Sequence, residues 1–174
     1  WCKAVMEEYP NFNIVGEVWT SSIPQLAYWQ GGDANKDGFN SNLKSIMDFP
    51  LHDAMRSAMN ESGNAGWGQG MTRIYDVLSH DFVYHDLSNM MIMAANHDTD
   101  RAAGFLPASF GQAQMAANLS ILMPGSTFIY YGEEIGMKGA RGGSNTDANR
   151  RLAMLWGDGD WVRNSEGSDY AAQQ

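Results

Sequence analysis

The sequence predicts an α/β fold built on a parallel sheet, and three observations lead there. Short apolar runs alternate with stretches of helical periodicity along most of the chain. The connections between successive apolar runs are long enough for crossovers, which parallel strands require. Charged residues follow the apolar runs, as Glu17, Asp48, Asp98, Glu133 and Glu134 do. In a parallel sheet that places them along one edge, where ligands collect.

The elements follow in order. Cys2, Val5, Met6 and Tyr9 share one face of a helix that Pro10 and Asn11 stop. Phe12 to Trp19 reads as a buried strand ending on Glu17-Val-Trp19. A long polar loop follows, through Gly31, Gly32 and 33–42. Ser45 to Phe49 is a second strand, and Pro50 opens a helix with Leu51, Met55, Ala58 and Met59 on its apolar face. A glycine-rich loop, Gly63 to Gly70, surrounds Trp67, and a helix covers Met71 to Ser79. Met90 to Ala95 is a third strand, and the polar segment Asn96 to Arg101 follows it. Ser109 to Met123 is helical, with Met115, Leu119 and Leu122 on one side, and Pro124-Gly125 ends it. Ser126 to Tyr131 is a fourth strand, and the chain beyond Gly132 is polar and irregular.

The bulk properties bound the function. The chain has 174 residues and 44% hydrophobic residues, enough for a folded core. A net charge of −9 and the lack of a basic stripe argue against nucleic acid and anionic membranes as partners. No apolar run approaches the roughly 18 residues of a membrane span. The single cysteine, Cys2, cannot form an internal disulfide and leaves the compartment open. No signal peptide is visible, but the first residue is Trp1 rather than Met, so the chain reads as cut from a longer one.

Glu17 ends an otherwise apolar strand, where a carboxylate needs a partner or a task. Alone it reads as well as a salt bridge or a helix cap. Asp98, in Asn96-His97-Asp98-Thr99-Asp100-Arg101, reads alone as a helix cap, and His97 as a satisfied strand-end histidine. Together they say more. Glycoside hydrolysis needs one carboxyl to protonate the leaving oxygen and another that bears on the anomeric centre. His97 can donate to sugar hydroxyls. Trp19, Tyr28, Trp29, Trp67, Tyr130 and Tyr131 lie in or beside the same loops. Such rings stack on pyranoses or simply fill cores, and Trp19 is the best placed for substrate. Asp33, Asn35, Asp37 and Gly38 match the first half of a calcium loop, but its twelfth position is Lys44 rather than an acid. A surface turn rich in Asn and Asp accounts for the segment equally well.

Four segments carry a resemblance. Ile14-Val-Gly-Glu-Val-Trp19, Ala95-Asn-His-Asp-Thr-Asp-Arg101, Phe128-Ile-Tyr-Tyr-Gly-Glu-Glu-Ile-Gly-Met137 and Asp147-Ala-Asn-Arg-Arg-Leu-Ala-Met-Leu-Trp156 resemble, in this order, the alpha-amylase family, glycoside hydrolase family 13, in particular neopullulanases and cyclomaltodextrinases. The resemblance implies a (β/α)8 TIM barrel, retaining chemistry on the α-glucosidic bonds of starch and maltooligosaccharides, and no required cofactor. It implies Glu17 as general acid/base, Asp98 as transition-state stabiliser and His97 as a ligand of sugar hydroxyls. It implies Asp147 and Arg151 as a pair that grips the neighbouring glucose.

The family's nucleophile, an aspartate ending the fourth barrel strand, has no counterpart here. The strand bearing Glu17 then becomes the fifth. Residues 1–156 would form strands five to eight, the C-terminal half of the barrel, with 157–174 as an irregular tail. The missing N-terminal half becomes an expected partner, alongside the α-glucan. A secreted, periplasmic or cell-surface location is expected over a cytoplasmic one. One alternative is a non-catalytic barrel of this family used for binding or transporter assembly, which would not need both Glu17 and Asp98. Another is an unrelated doubly wound α/β protein, which would need a phosphate-binding loop between strand and helix. Gly63 to Gly70 follows a helix instead.

Overall fold

The computed structural model describes residues 1–61, 66–105, 110–140 and 147–154. The strands are β1 (Val15–Gly16), β2 (Ser45–Met47), β3 (Met90–Met93) and β4 (Ser126–Phe128). The helices are α1 (Cys2–Glu8), α2 (Ile23–Trp29), α3 (Phe49–Asn60), α4 (Met71–Leu78), α5 (Ala102–Phe105) and α6 (Phe110–Leu122). The sheet order is β1-β2-β3-β4, every pair parallel. Each strand is thus laid beside its predecessor in one direction. A barrel winds this way, whereas a doubly wound sheet reverses its order at a switch point.

The two sheet faces differ, as a period of two requires. Ile46, Met90 and Ile92 face the helices and pack with Leu26, Leu51, Met55, Ile74 and Val77. Met47, Met91, Met93 and Phe128 form a separate cluster with Phe49. Each fully buried side chain of this size contributes on the order of 1.5–3 kcal/mol. Gly125 lets β4 approach β3: it sits at φ +135°, and a Cβ there would lie 2.6 Å from the Met90 carbonyl oxygen.

Caps and turns follow the sequence. Asp48 precedes α3 and accepts a hydrogen bond from the Leu51 N–H at 3.0 Å, with Pro50 in the first turn. Helix α2 corrects the reading of residues 20–42 as a loop throughout. Ser22 occupies its N-cap position without a side-chain hydrogen bond, Pro24 lies in its first turn, and Leu26 is wholly buried. The paired ladders are shorter than the apolar runs suggest: only Val15–Gly16 of Phe12 to Trp19 is in register with β2. The loop at Gly63, the helix start at Ser109, and the boundary at 156 with its tail 157–174 lie outside the described residues.

β1 and β4 each have one strand neighbour among the described residues, and α1 buries none of its side chains. Unpaired edges and half-covered apolar faces are templates for association. The chain expressed alone is therefore expected to elute from size-exclusion chromatography as oligomers. A monodisperse monomer would contradict this.

Candidate active site

Glu17 follows β1 directly, and Asp98 follows β3 by one tight turn. That turn is organised by Asn96, which is fully buried. Its Oδ1 accepts from the N–H groups of both Asp98 and Thr99 at 2.9 Å, and its own N–H donates to Thr99 Oγ1 at 2.8 Å. The side chain mimics a backbone turn and turns His97 and Asp98 outward.

The consequence is convergence. Glu17, His97 and Asp98 each offer an atom, and these atoms all lie within 4.8 Å of one another. Glu17 and His97 are exposed and Asp98 half-buried. Both Asp98 oxygens are occupied: Oδ2 lies 3.2 Å from His97 Nε2, and Oδ1 accepts from the Arg151 guanidinium. Arg151 also donates from Nε to the His97 carbonyl at 3.1 Å and sits 3.7 Å from Asp147 Oδ2. Five of the six catalytic and substrate-binding residues expected from sequence, Glu17, His97, Asp98, Asp147 and Arg151, therefore form one connected group.

Trp19 is the sixth. One face stacks on buried Phe49 with centroids 4.6 Å apart and planes 21° from parallel, and the side chain remains 59% exposed. A ring supported on one face and open on the other is suited to stacking. Among the other aromatics, Tyr28, Trp29 and Phe39 pack on one another, and Trp67 is fully exposed.

The calcium half-motif folds on its own hydrogen bonds. Asn35 Nδ2 donates to the carbonyls of Tyr28 and Phe39 at 2.8 and 2.9 Å. Asp37 accepts from the Phe39 N–H and the Tyr28 hydroxyl, each at 3.0 Å. The Phe39 N–H and then the Tyr28 hydroxyl hold the Asp37 carboxyl below its ordinary range. Asp33 is exposed.

Two acids at the same edge play other parts. Burial pushes Asp48 up to about 6. Burial likewise pushes Glu133 up to about 7, although its Oε2 accepts from the Tyr130 N–H at 2.9 Å. Sequence reasoning missed Asn96 and Arg101 as organisers of the site. An Asn at a strand end, followed three residues later by Thr, was the available signal for the first.

A family model described as alpha amylase, catalytic domain, matches residues 1–170. Alpha-amylase 3 of Dictyoglomus thermophilum is 29% identical over 136 residues, which is 76% of this chain and 24% of that protein. Alpha-amylase SusG of Bacteroides thetaiotaomicron is 28% identical over 151 residues, 85% of this chain and 19% of that protein. The chain thus spans a quarter or less of the length of these two relatives. The fold is shared with the alpha-amylase of Geobacillus thermoleovorans, solved as a complex with acarbose: TM-score 0.67, 24% identity, 90% of this chain and 32% of that one. The single-direction parallel sheet, the grouped acids and the match over 1–170 agree, and the chain belongs to the alpha-amylase family.

Proposed function

We propose that this chain supplies the general acid/base and the transition-state-stabilising carboxylate of a retaining α-glucan hydrolase, on strands five to eight of its barrel. The observation that carries this reading is the convergence of Glu17, His97 and Asp98 within 4.8 Å at one sheet edge. Asp98 is clamped through both oxygens, so it is a fixed negative charge rather than a free nucleophile. Such a charge stabilises an oxocarbenium-like sugar as it forms. Glu17, exposed and beside it, gives its proton to the departing glycosidic oxygen. In the second step the Glu17 carboxylate takes a proton from the water that attacks the glycosyl-enzyme.

The bond to the enzyme is made by an upstream aspartate on the fourth strand. Asp147 and Arg151 hold the adjoining glucose, and the open face of Trp19 stacks on a sugar ring of the substrate. The acarbose complex of the Geobacillus neighbour supports an α-glucan substrate. No cofactor enters this scheme. The Asp33–Asn35–Asp37 turn is held by its own donors, so any rise in the Tm of the intact protein on adding calcium is expected to survive Asp37→Asn; a rise that this change abolishes would install a cation there.

The test is direct. The chain alone is expected to release no reducing sugar from maltooligosaccharides, because it can protonate a leaving group but cannot displace it. The chain extended upstream through the fourth strand and the rest of the barrel is expected to do so. Turnover by the short chain would refute the assignment of the nucleophile, and none from the intact protein would refute the hydrolase.

A further inference from the structure

Arg101 is the largest wholly buried side chain among the described residues. A buried guanidinium is expensive unless its surroundings are built for it. Here they are. Its Cζ lies 4.5 Å from the ring centroids of both Tyr130 and Tyr131, so two π faces grip it. Its Nε donates to the Arg150 carbonyl at 3.0 Å and its Nη1 to the Tyr131 carbonyl at 2.5 Å. Its backbone N–H donates to the Gly139 carbonyl at 2.8 Å. A Cβ on Gly139 would lie 2.0 Å from the Asn149 carbonyl oxygen, so the same spot requires close backbone approach.

Arg101 therefore joins three segments: the turn after β3, the loop after β4, and the 147–152 turn. That last turn carries Arg150, which donates to the Asp98 carbonyl, and Arg151, which pairs with the Asp98 carboxylate. Tyr130 and Tyr131 help dock it, donating their hydroxyls to the carbonyls of Arg150 (3.2 Å) and Leu152 (2.5 Å). We propose that Arg101 is a positioning residue for the reaction: its planar fork, gripped by the two tyrosines, docks the 147–152 turn so that Arg151 meets Asp98.

This rests on the reading of Asp98 as the stabilising carboxylate. A lysine keeps the charge but has neither the fork nor the plane. In the intact enzyme, Arg101→Lys is expected to lower kcat/KM about tenfold, mostly in kcat. In an Arg151→Ala background the same change is expected to add less than about twofold, because the contact it supports is already gone. Tyr130→Phe removes one hydroxyl bond to the same turn and spares the ring. It is expected to lower kcat/KM about threefold in a protein that folds normally.

A purely structural Arg101 would lower Tm with kcat/KM unchanged in the folded fraction, or would act independently of Arg151; either result overturns the proposal. Should the intact protein turn over no glucan, the hydrolase reading falls separately. The docking link alone is then decided by thermal melts of the same single and double variants, where additive losses of Tm overturn the coupling of Arg101 to Arg151 and non-additive losses uphold it.

Discussion

In the intact enzyme, Glu17→Gln is expected to lower kcat on maltooligosaccharides by on the order of 10²–10⁴-fold, the range that a positioned general acid/base contributes. The loss should depend on the leaving group. A glucoside of an acidic phenol departs without help, so its kcat/KM, which reports the first step, should be spared, while its kcat still falls because the attacking water has lost its base. Asp98→Asn should differ. It removes the fixed charge beside the developing cation, so both substrates should suffer alike. Glu17 is exposed and follows a two-residue strand, so its replacement should leave Tm almost unchanged. Steady-state kinetics on the two substrate classes decide the matter. Equal losses of kcat/KM with good and poor leaving groups for Glu17→Gln would remove it from the acid role.

The second large effect is on stability. Asp48 is 5% exposed, caps α3, and titrates at about 6 against an ordinary 3.8, chiefly because of burial. Its folded pKa is raised, so the native state holds the proton more tightly than the unfolded chain. Its contribution is complete below about pH 4 and is lost as pH climbs through about 6. At pH 7.5 the ionised, buried carboxylate forfeits at most about 3 kcal/mol relative to pH 4. Asp48→Asn keeps an oxygen for the Leu51 N–H and removes the charge. The variant should be more stable than the parent at pH 7.5 and indistinguishable from it at pH 4. Urea unfolding of the intact enzyme at both pH values checks this, and equal differences at both would sink it. Glu133, raised to about 7 by burial, acts in the same direction.

Much of this site was legible because strand ends are legible. Apolar runs such as Met90 to Ala95 announce themselves, and an acid closing one is conspicuous. Parallel strands, and so a common edge for Glu17 and Asp98, followed from alternation, whereas their sequential order came with the family resemblance. What stayed hidden depends on partners distant in sequence. Helix α2 buries only Leu26 completely, so its periodicity was faint beside Gln25, Tyr28 and Gln30. Gln30 itself is buried, its amide nitrogen donating to the carbonyls of Lys44 and Asp86 while its oxygen accepts from the Asp86 N–H. No local pattern reveals that. Arg101 looked like one more charge in a polar loop, because its tyrosines lie about thirty positions onward. The Asp147–Arg151 pair was visible through family resemblance only, since its meaning comes from lying against Asp98.

The order in which the strands are laid down has a bearing on how the polypeptide matures. Each strand pairs with the one synthesised just before it, so every new strand–helix unit leaving the ribosome finds its docking edge already formed. Growth can proceed in the direction of translation, with no early strand waiting for a distant late one. Within this stretch the exception is the cluster around Asp98. Glu17 leaves the tunnel with the first strand, while Arg151 arrives after the last, so the carboxylate cluster is completed only when the whole stretch has been made.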